Sequence, residues 1–162
     1  MSRSAGKQNN HSPDHASLEE MPGQGQDIPF QVALVIEPDM LPRLALRQQL
    51  LQSGILVVHE AEDGEDGMAW LSRPEVDLVL SRWEPGGVDC LQLLKSLKGK
   101  GKTPRIPLVL LDWGLPQVTI VAAVKAGVAA RLMMPSTPAK VRQALQEIME
   151  ARRLAGAIQK TT

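Results

Sequence analysis

The chain has 162 residues, 43% of them apolar, which suits one globular domain and leaves room for a short extra segment. Eighteen basic and eighteen acidic residues give a formal net charge of zero, which argues against a dedicated nucleic-acid-binding protein. A single cysteine, Cys90, excludes an intramolecular disulfide and a zinc site built from several cysteines.

The N-terminal segment, residues 1–28, is dominated by polar residues and shows no regular pattern. Such a composition buries too little apolar surface to offset the entropy lost on ordering, so we predict a disordered tail. The chain contains no apolar run of the roughly 18 residues that a membrane-spanning helix needs. The N-terminus also lacks the apolar core of a secretory signal, so we expect a cytoplasmic protein without membrane insertion.

Short apolar runs that alternate with longer amphipathic stretches begin after this segment. The runs predict five β-strands, at Val32–Ile36, Ile55–Val58, Val76–Leu80, Leu108–Leu111 and Ala130–Met133. Because the runs are apolar throughout, and not at every second residue, we expect strands that are covered on both faces, as in a parallel sheet.

The amphipathic stretches predict five helices. They are expected at residues 39–53, 64–72, 88–98 and 116–126, and from residue 137 onward. Asp39 is the expected N-cap of the first helix, and Gly54 follows its end. Thr137 and Pro138 suit the first positions of the last helix.

The alternation of strands and helices predicts a doubly wound α/β fold, a (βα)5 three-layer sandwich around a five-stranded parallel sheet. We expect one domain over residues 29–154 and a short flexible tail at residues 155–162. Ligand sites of such sheets lie at the carboxyl ends of the strands, so the residues that follow each strand are the informative ones.

Charged residues and prolines follow the predicted strands. The candidate pocket residues are, in chain order, Glu37, Pro38, Asp39, Arg82, Glu84, Asp112, Met134 and Pro135. A loop that cradles phosphate through its backbone would place Gly, Ser or Thr after the first strand, where this chain has carboxylates and prolines. A flavin-binding or nucleotide-binding site of that kind is therefore disfavoured.

Three stretches resemble the receiver domain of two-component response regulators, of the single-domain chemotaxis type. They are HEAEDGEDGMAWL, VDLVLSRWEPGGVDCLQLLKSLK and AGVAARLMMPSTPAKVRQAL, and the resemblance extends over residues 31–152. It implies a flavodoxin-like receiver topology and a site with five features. These are a phosphate-accepting Asp after the third strand, an acidic pair for Mg²⁺ after the first, a hydroxyl after the fourth, an aromatic residue on the fifth, and a Lys before its Pro.

The residues at those positions depart from what the resemblance requires. Arg82 occupies the acceptor position, and a guanidinium has no nucleophilic oxygen. Asp112 occupies the hydroxyl position, Met134 the lysine position, and Arg131 the position of the aromatic residue on the fifth strand. The acidic pair is reduced to Glu37 followed by a proline. We therefore predict a degenerate receiver, without catalytic residues, bound metal or cofactor.

Arg82 offers a physical account of these exchanges. One hypothesis is that its guanidinium enters the pocket and bridges Glu37 and Asp112 through charge-assisted hydrogen bonds. The alternative is that Arg82 is exposed to solvent, at a site that no longer has to carry out chemistry. The resemblance also implies a cis Met134–Pro135 bond.

Two single residues receive structural interpretations. Cys90 is expected to be a small, partly buried residue and not a redox sensor. His59 is expected to be a packed or edge residue of the second strand and not a ligand.

The predicted function is that of a non-enzymatic adaptor that binds another protein of a bacterial signalling pathway independently of phosphorylation. The resemblance implies partners such as a histidine kinase, a true receiver or a motility component, and a homodimer stays open. It also implies a contact face that contains Trp113, Leu115, Pro116, Val118 and Arg131. The alternative for Trp113 is that its side chain packs beneath the fourth helix.

A second hypothesis is a switch that is phosphorylated at Asp39 or Asp112, or that binds a small ligand. A third, nucleic-acid association through the basic C-terminal helix, is disfavoured by the neutral charge.

Overall fold

The fold is described from a computed structural model, which covers residues 28–83, 90–99 and 106–160. Five strands and five helices alternate along these ranges. The strands are β1 (Val32–Ile36), β2 (Val57–Ala61), β3 (Leu78–Arg82), β4 (Leu108–Asp112) and β5 (Ala130–Met133). The helices are α1 (Met40–Gln52), α2 (Gly64–Leu71), α3 (Cys90–Gly99), α4 (Gln117–Ala126) and α5 (Pro138–Lys160).

The strands form one parallel sheet in the order β2-β1-β3-β4-β5, so β2 and β5 are its edges. Two apolar clusters cover its faces. One includes Leu46 and Leu50 of α1 with Val141 and Leu145 of α5, and the other contains residues of α2 and α3. The sheet is therefore the middle of three layers, and the predicted doubly wound (βα)5 fold is confirmed.

Two strands begin two residues later than predicted. Ile55 and Val76 are buried apolar residues, but both lie in the loops that precede β2 and β3. Their burial made them indistinguishable from strand residues in the sequence pattern. Apolarity reports burial, whereas strand boundaries depend on backbone pairing, which in β3 begins where Leu78 pairs with Ala33 of β1.

The predicted helix boundaries hold to within a few residues, except that the predicted start of the third helix, at residue 88, lies outside the described residues. The Thr137 hydroxyl accepts a hydrogen bond from the Lys140 amide at the start of α5, as an N-cap does. Gly54 and Gly127 follow α1 and α4 with φ of +104° and +109°, a conformation that side chains other than glycine rarely adopt. Asp39 occupies the N-cap position of α1, but its side chain makes no capping hydrogen bond.

Two observations concern the ends of the predicted domain. Ile28 packs against the core cluster of α1 and α5, so the folded domain includes it, and residues 1–27 of the predicted tail lie outside the described residues. The predicted tail from residue 155 is helical as far as Lys160, because α5 is 23 residues long. Despite that length, no helix in the described ranges is both long and apolar enough to cross a membrane.

Candidate functional site

Glu37 is the buried centre of the site, directly after β1. Its side chain is fully enclosed, and its carboxylate accepts three hydrogen bonds from three segments of the chain. The Asp39 amide and Arg82 Nη1 donate to Oε1 at 3.1 and 2.9 Å, and the Trp113 indole donates to Oε2 at 3.2 Å. A buried carboxylate needs such partners because desolvation penalises its charge.

Arg82, the last residue of β3, brings the neutralising charge. Its Nη1 lies 2.9 Å from Glu37 Oε1 and 2.8 Å from Asp39 Oδ2. The guanidinium carbon lies 5.8 Å from the centre of the Trp113 ring, within cation–π range. Arg82 therefore points into the pocket and joins the two acidic side chains of the β1–α1 loop.

The second partner of Arg82 differs from the predicted one. The hypothesis paired Arg82 with Glu37 and Asp112, and the structure has Asp39 in place of Asp112. The Asp39 carboxylate is available to Arg82 because it makes no capping hydrogen bond to α1. The expected role of Asp39 as N-cap was inferred from its position before the helix, and that position gives no sign of the ion pair with Arg82.

Asp112, buried at the end of β4, is used locally. Its Oδ1 accepts hydrogen bonds from the amides of Gly114 and Leu115 at 2.9 and 2.7 Å, which closes the turn after the strand. Its Oδ2 lies 3.6 Å from Nε of Arg131 on β5. Asp112 and Arg131, the two charged residues that depart from the family resemblance at these positions, thus face each other.

The remaining residues of the candidate face are mostly exposed. Trp113 is about two-fifths exposed, and its indole nitrogen donates a hydrogen bond to Glu37 Oε2. Pro116, Val118 and Arg131 are exposed, and Leu115 is half-buried.

Met134 and Pro135 follow β5 and are joined by the predicted cis bond. The Met134 side chain packs against the core cluster, and its amide donates to the Asp112 carbonyl at 2.8 Å. An uncharged thioether therefore fills the position where the resemblance requires a lysine. Pro38 is exposed beside Glu37, and Glu84 lies outside the described residues.

Arg43 of α1 was missed by the sequence analysis. Its nearly buried side chain donates to the carbonyls of Glu37 and Pro38 at 2.8 and 3.3 Å and to Glu60 Oε1 at 3.3 Å. It thereby holds the β1–α1 loop against β2. The available signal was periodicity, because Arg43 shares the buried stripe of α1 with Leu46 and Leu50.

The carboxylates of the site do not suit Mg²⁺. The ion needs free oxygen ligands, but Glu37 Oε1 and Asp39 Oδ2 are both engaged by one guanidinium nitrogen. The residue at the end of β3 is itself a cation, which would repel a divalent ion. Nowhere in the described ranges do three His, Cys, Asp or Glu side chains form a group suited to a metal. No chemical step through a metal is therefore assigned to this site.

Cys90 and His59 have structural surroundings. The Cys90 thiol is buried at the start of α3, 3.2 Å from the Arg82 carbonyl and 3.5 Å from the Ser81 hydroxyl. The His59 ring stacks on Trp70 with 4.1 Å between ring centres. Both residues pack against neighbours, as predicted.

Comparisons with known proteins converge on one family. The family model described as response regulator receiver domain matches residues 33–146. Chemotaxis protein CheY-3 of Vibrio cholerae is 24% identical over 117 residues, which cover 72% of this chain and 90% of that protein. The chemotaxis protein CheY homolog of Campylobacter jejuni has the same identity and coverage.

Solved structures show the same fold. Chemotaxis response regulator CheY4 of Vibrio cholerae superposes with a TM-score of 0.64 at 17% identity, over 74% of this chain and 98% of that one. A response regulator receiver domain protein from Clostridium thermocellum gives a TM-score of 0.65 at 18% identity, over 77% and 98% of the two chains.

Proposed function

This chain belongs to the response regulator receiver domain family of two-component signalling, and we propose that it is a degenerate member that acts through protein contacts without being phosphorylated. The observation that carries the proposal is the guanidinium of Arg82, held between Glu37 and Asp39. A cation is thereby fixed where the family resemblance requires a phosphate-accepting acid.

The chemistry of each neighbouring residue supports this reading. Arg82 has no oxygen that could attack a phosphoryl group. Asp112, which is buried, presents a carboxylate where a hydroxyl would donate to phosphate. The negative charge of this carboxylate would repel a phosphate group bound beside it. Met134 offers no positive charge to bind a phosphate oxygen. The site has thus lost the acceptor and two groups that would bind phosphate.

Without such chemistry, the surfaces of the domain carry the proposed function. Receiver domains interact with other signalling proteins such as kinases, and the exposed residues Trp113, Pro116, Val118 and Arg131 supply a contact face here. We infer an adaptor, not an enzyme, that binds a histidine kinase, a phosphorylatable receiver or a motility component. Self-association through the same face is the alternative partner choice.

Incubation with a small phosphodonor and Mg²⁺, followed by intact mass measurement, tests the proposal. We expect no gain of about 80 Da, the mass of one phosphoryl group, under conditions that label a chemotaxis receiver run in parallel. A phosphodonor-dependent adduct on the folded wild-type chain would overturn phosphorylation independence.

The alternative function, a switch modified at another residue, is favoured by one observation. The Asp39 side chain is about two-thirds exposed, whereas Asp112 is buried, so Asp39 is the accessible acceptor. Under this alternative the D39N variant would lose the adduct and the D112N variant would retain it.

A further inference from the structure

The outer side of α1 carries a row of exposed apolar side chains. They are Met40, Leu41, Leu44 and Leu51, exposed by 59%, 75%, 43% and 41%, and we call them the α1 stripe. At about 100° per residue, positions 40, 44 and 51 lie within about 40° of one another around the helix axis. The stripe thus faces away from the core, and burial of its side chains against an occupant would be favourable.

One positive charge interrupts the α1 stripe. Arg47 lies between Leu44 and Leu51 on the same side of the helix, where its side chain is about half exposed. Its Nη1 lies 3.7 Å from Oε2 of Glu60 on β2. The sequence of α1 contains no acidic residue. An occupant that fits this part of the helix therefore offers two apolar groups with negative charge between them.

Residues 14–27 of the same chain have this composition. They contain four acidic residues and no lysine or arginine. Their large apolar residues are Leu18 and Met21, and Glu19 and Glu20 stand between those two in the sequence. Such a segment offers too little apolar surface to fold alone, but a surface that is already folded can order it.

The spacing of the two patterns also agrees. Leu44 and Leu51 are seven positions apart on a helix, which is about 10 Å along its axis. Met21 precedes Pro22, and this position favours an extended or polyproline II backbone. In polyproline II, Leu18 and Met21 would lie one turn apart on the same side, separated by about 9 Å.

The segment joins the folded domain at one end of α1. Ile28 lies beside Gly54, which follows α1, since a Cβ atom on Gly54 would stand 3.4 Å from Ile28 Cδ1. Seven to ten residues of a glycine-rich chain span about 13–19 Å on average. The 13 residues of α1 extend over about 20 Å, so Leu18 and Met21 fall within its length.

This attachment favours the segment over other occupants. A short tether holds its segment at an effective concentration on the order of 1 mM near the helix. A second copy or another protein would have to reach a comparable concentration in solution to compete with it. The favoured occupant of the α1 stripe is therefore part of the same chain.

We propose that residues 14–27 lie across the outer side of α1 in the same chain. Leu18 and Met21 pack on the two leucines that flank Arg47, and the two glutamates between them surround its guanidinium. This contact goes beyond the proposed function and does not depend on whether the chain is phosphorylated. It closes α1 to other apolar surfaces and leaves the contact face around Trp113 open.

Methyl NMR of the full-length chain, labelled at leucine and methionine methyl groups, tests this contact. We expect nuclear Overhauser effects from the Met21 methyl group to Leu44 and Leu51. The amides of residues 18–21 should give higher heteronuclear Overhauser values than those of residues 2–10, which lie outside the proposed contact. In a mixture of two differently labelled chains, no such effect should join one chain to the other.

Two single variants of the folded domain provide a matched comparison. Leu44 of α1 and Leu91 of α3 are similarly exposed, at 43% and 47%, so L44D and L91D make similar changes on two helices. L44D removes an apolar contact and places a carboxylate beside the two glutamates of the segment. The ratio of covered to uncovered α1, measured from the averaged Leu51 methyl shifts, should fall at least about tenfold. L91D should leave this ratio unchanged.

A second pair of variants changes the segment and leaves the folded domain intact. L18D/M21D removes both apolar side chains of the segment, so the methyl contacts with α1 should disappear and the signals of the α1 stripe should move. Q8D/N9D adds the same two charges outside residues 14–27 and should move none of these signals.

Three results would overturn the proposal. These are the absence of contacts between Met21 and α1 in the folded wild type, equal effects of L44D and L91D, and equal effects of the two double variants. Contacts that join two differently labelled chains would also overturn it and identify a second copy as the occupant. The phosphodonor assay measures a different property, so failure of this proposal leaves the proposed function standing.

Discussion

At the scale of single residues, Arg82 reorganises the side chains around it. Glu37 is buried and charged, and it is matched by a guanidinium, an indole and a backbone amide. Asp39 gives up the capping hydrogen bond that its position at the start of α1 favours and contacts Arg82 instead. One exchange at the end of β3 thus accounts for the behaviour of both acidic residues of the β1–α1 loop.

The R82D variant tests whether this arginine is what keeps a divalent cation out. The substitution removes the guanidinium from Glu37 Oε1 and Asp39 Oδ2 and adds a third carboxylate at the same edge of the sheet. We expect R82D to bind Mn²⁺ saturably, measured by loss of the free-ion signal in electron paramagnetic resonance, and the wild type not to bind it.

Two controls accompany this measurement. R142D makes the same charge change on the exposed surface of α5 and should create no site. The E37Q/R82D double variant should bind Mn²⁺ more weakly than R82D. A folded R82D variant that binds no Mn²⁺ would show that Arg82 is not the group that excludes the ion.

At the scale of elements, the β1–α1 connection is fixed from the helix side by Arg43. Its guanidinium contacts the carbonyls of Glu37 and Pro38 and the carboxylate of Glu60 on β2. A helix, a loop and an edge strand therefore share one buried cation. The position of the Glu37 side chain depends on this clamp as well as on its own hydrogen bonds.

The R43M variant keeps the apolar stem of this side chain and removes its donors. The two carbonyls lose this donor and Glu60 keeps only its ion pair with Arg47, so we expect the free energy of unfolding to fall by about 2–3 kcal/mol. Urea denaturation measures this change. R47M is the matched control, because exposed Arg47 makes one ion pair with Glu60 at 3.7 Å and should cost less than about 0.5 kcal/mol. Equal losses for the two variants would contradict the clamp.

The second half of α5 contains a pH-dependent pair. Hydrogen bonds from Arg153 to Glu150, at 2.7 and 3.1 Å, lower the pKa of the Glu150 carboxyl below its usual 4.5. Because the pKa is lowered in the folded state, the contribution of the pair is present above pH 4.5 and is lost as the pH falls through the lowered value.

Carboxyl ¹³C shifts measure this titration directly. We expect the Glu150 midpoint to lie below 4.5 in the wild type and to return toward 4.5 in R153Q. R152Q is the control, because Arg152 packs over the Phe30 ring and the lowered pKa of Glu150 is caused by Arg153. A midpoint that does not move in R153Q would contradict the assigned cause.

At the scale of the whole molecule, the sequence supplied the order of elements but not all contacts between them. The runs at Val32–Ile36 and Ala130–Met133 coincide with strands, because continuous apolarity suits a parallel sheet covered on both faces. The position of Arg82 beside Glu37 followed from the shared carboxyl edge of the strands. Its choice of Asp39 over Asp112 did not, because it depends on side-chain directions in two loops. The helical course of residues 155–160 was also missed.

The same scale explains how a neutral chain can present a charged contact surface. The acidic residues between 60 and 66 lie on β2, on α2 and in the loop between them, whereas residues 113–146, which include α4 and the edge strand β5, contain four basic residues and no acidic one. A total charge of zero therefore describes the chain as a whole and neither of these two surfaces.

The cation in the pocket is the side chain of Arg82, so it is part of the chain and not a bound ion. Unlike a bound metal ion, this guanidinium cannot leave the pocket by dissociation. Its presence there does not depend on the concentration of magnesium or phosphate in the cell. On the proposed function, the molecule thus has one state and cannot report a signal by changing it. What a cell can still vary is the number of copies it makes, so synthesis and degradation would set how much of the partner is occupied.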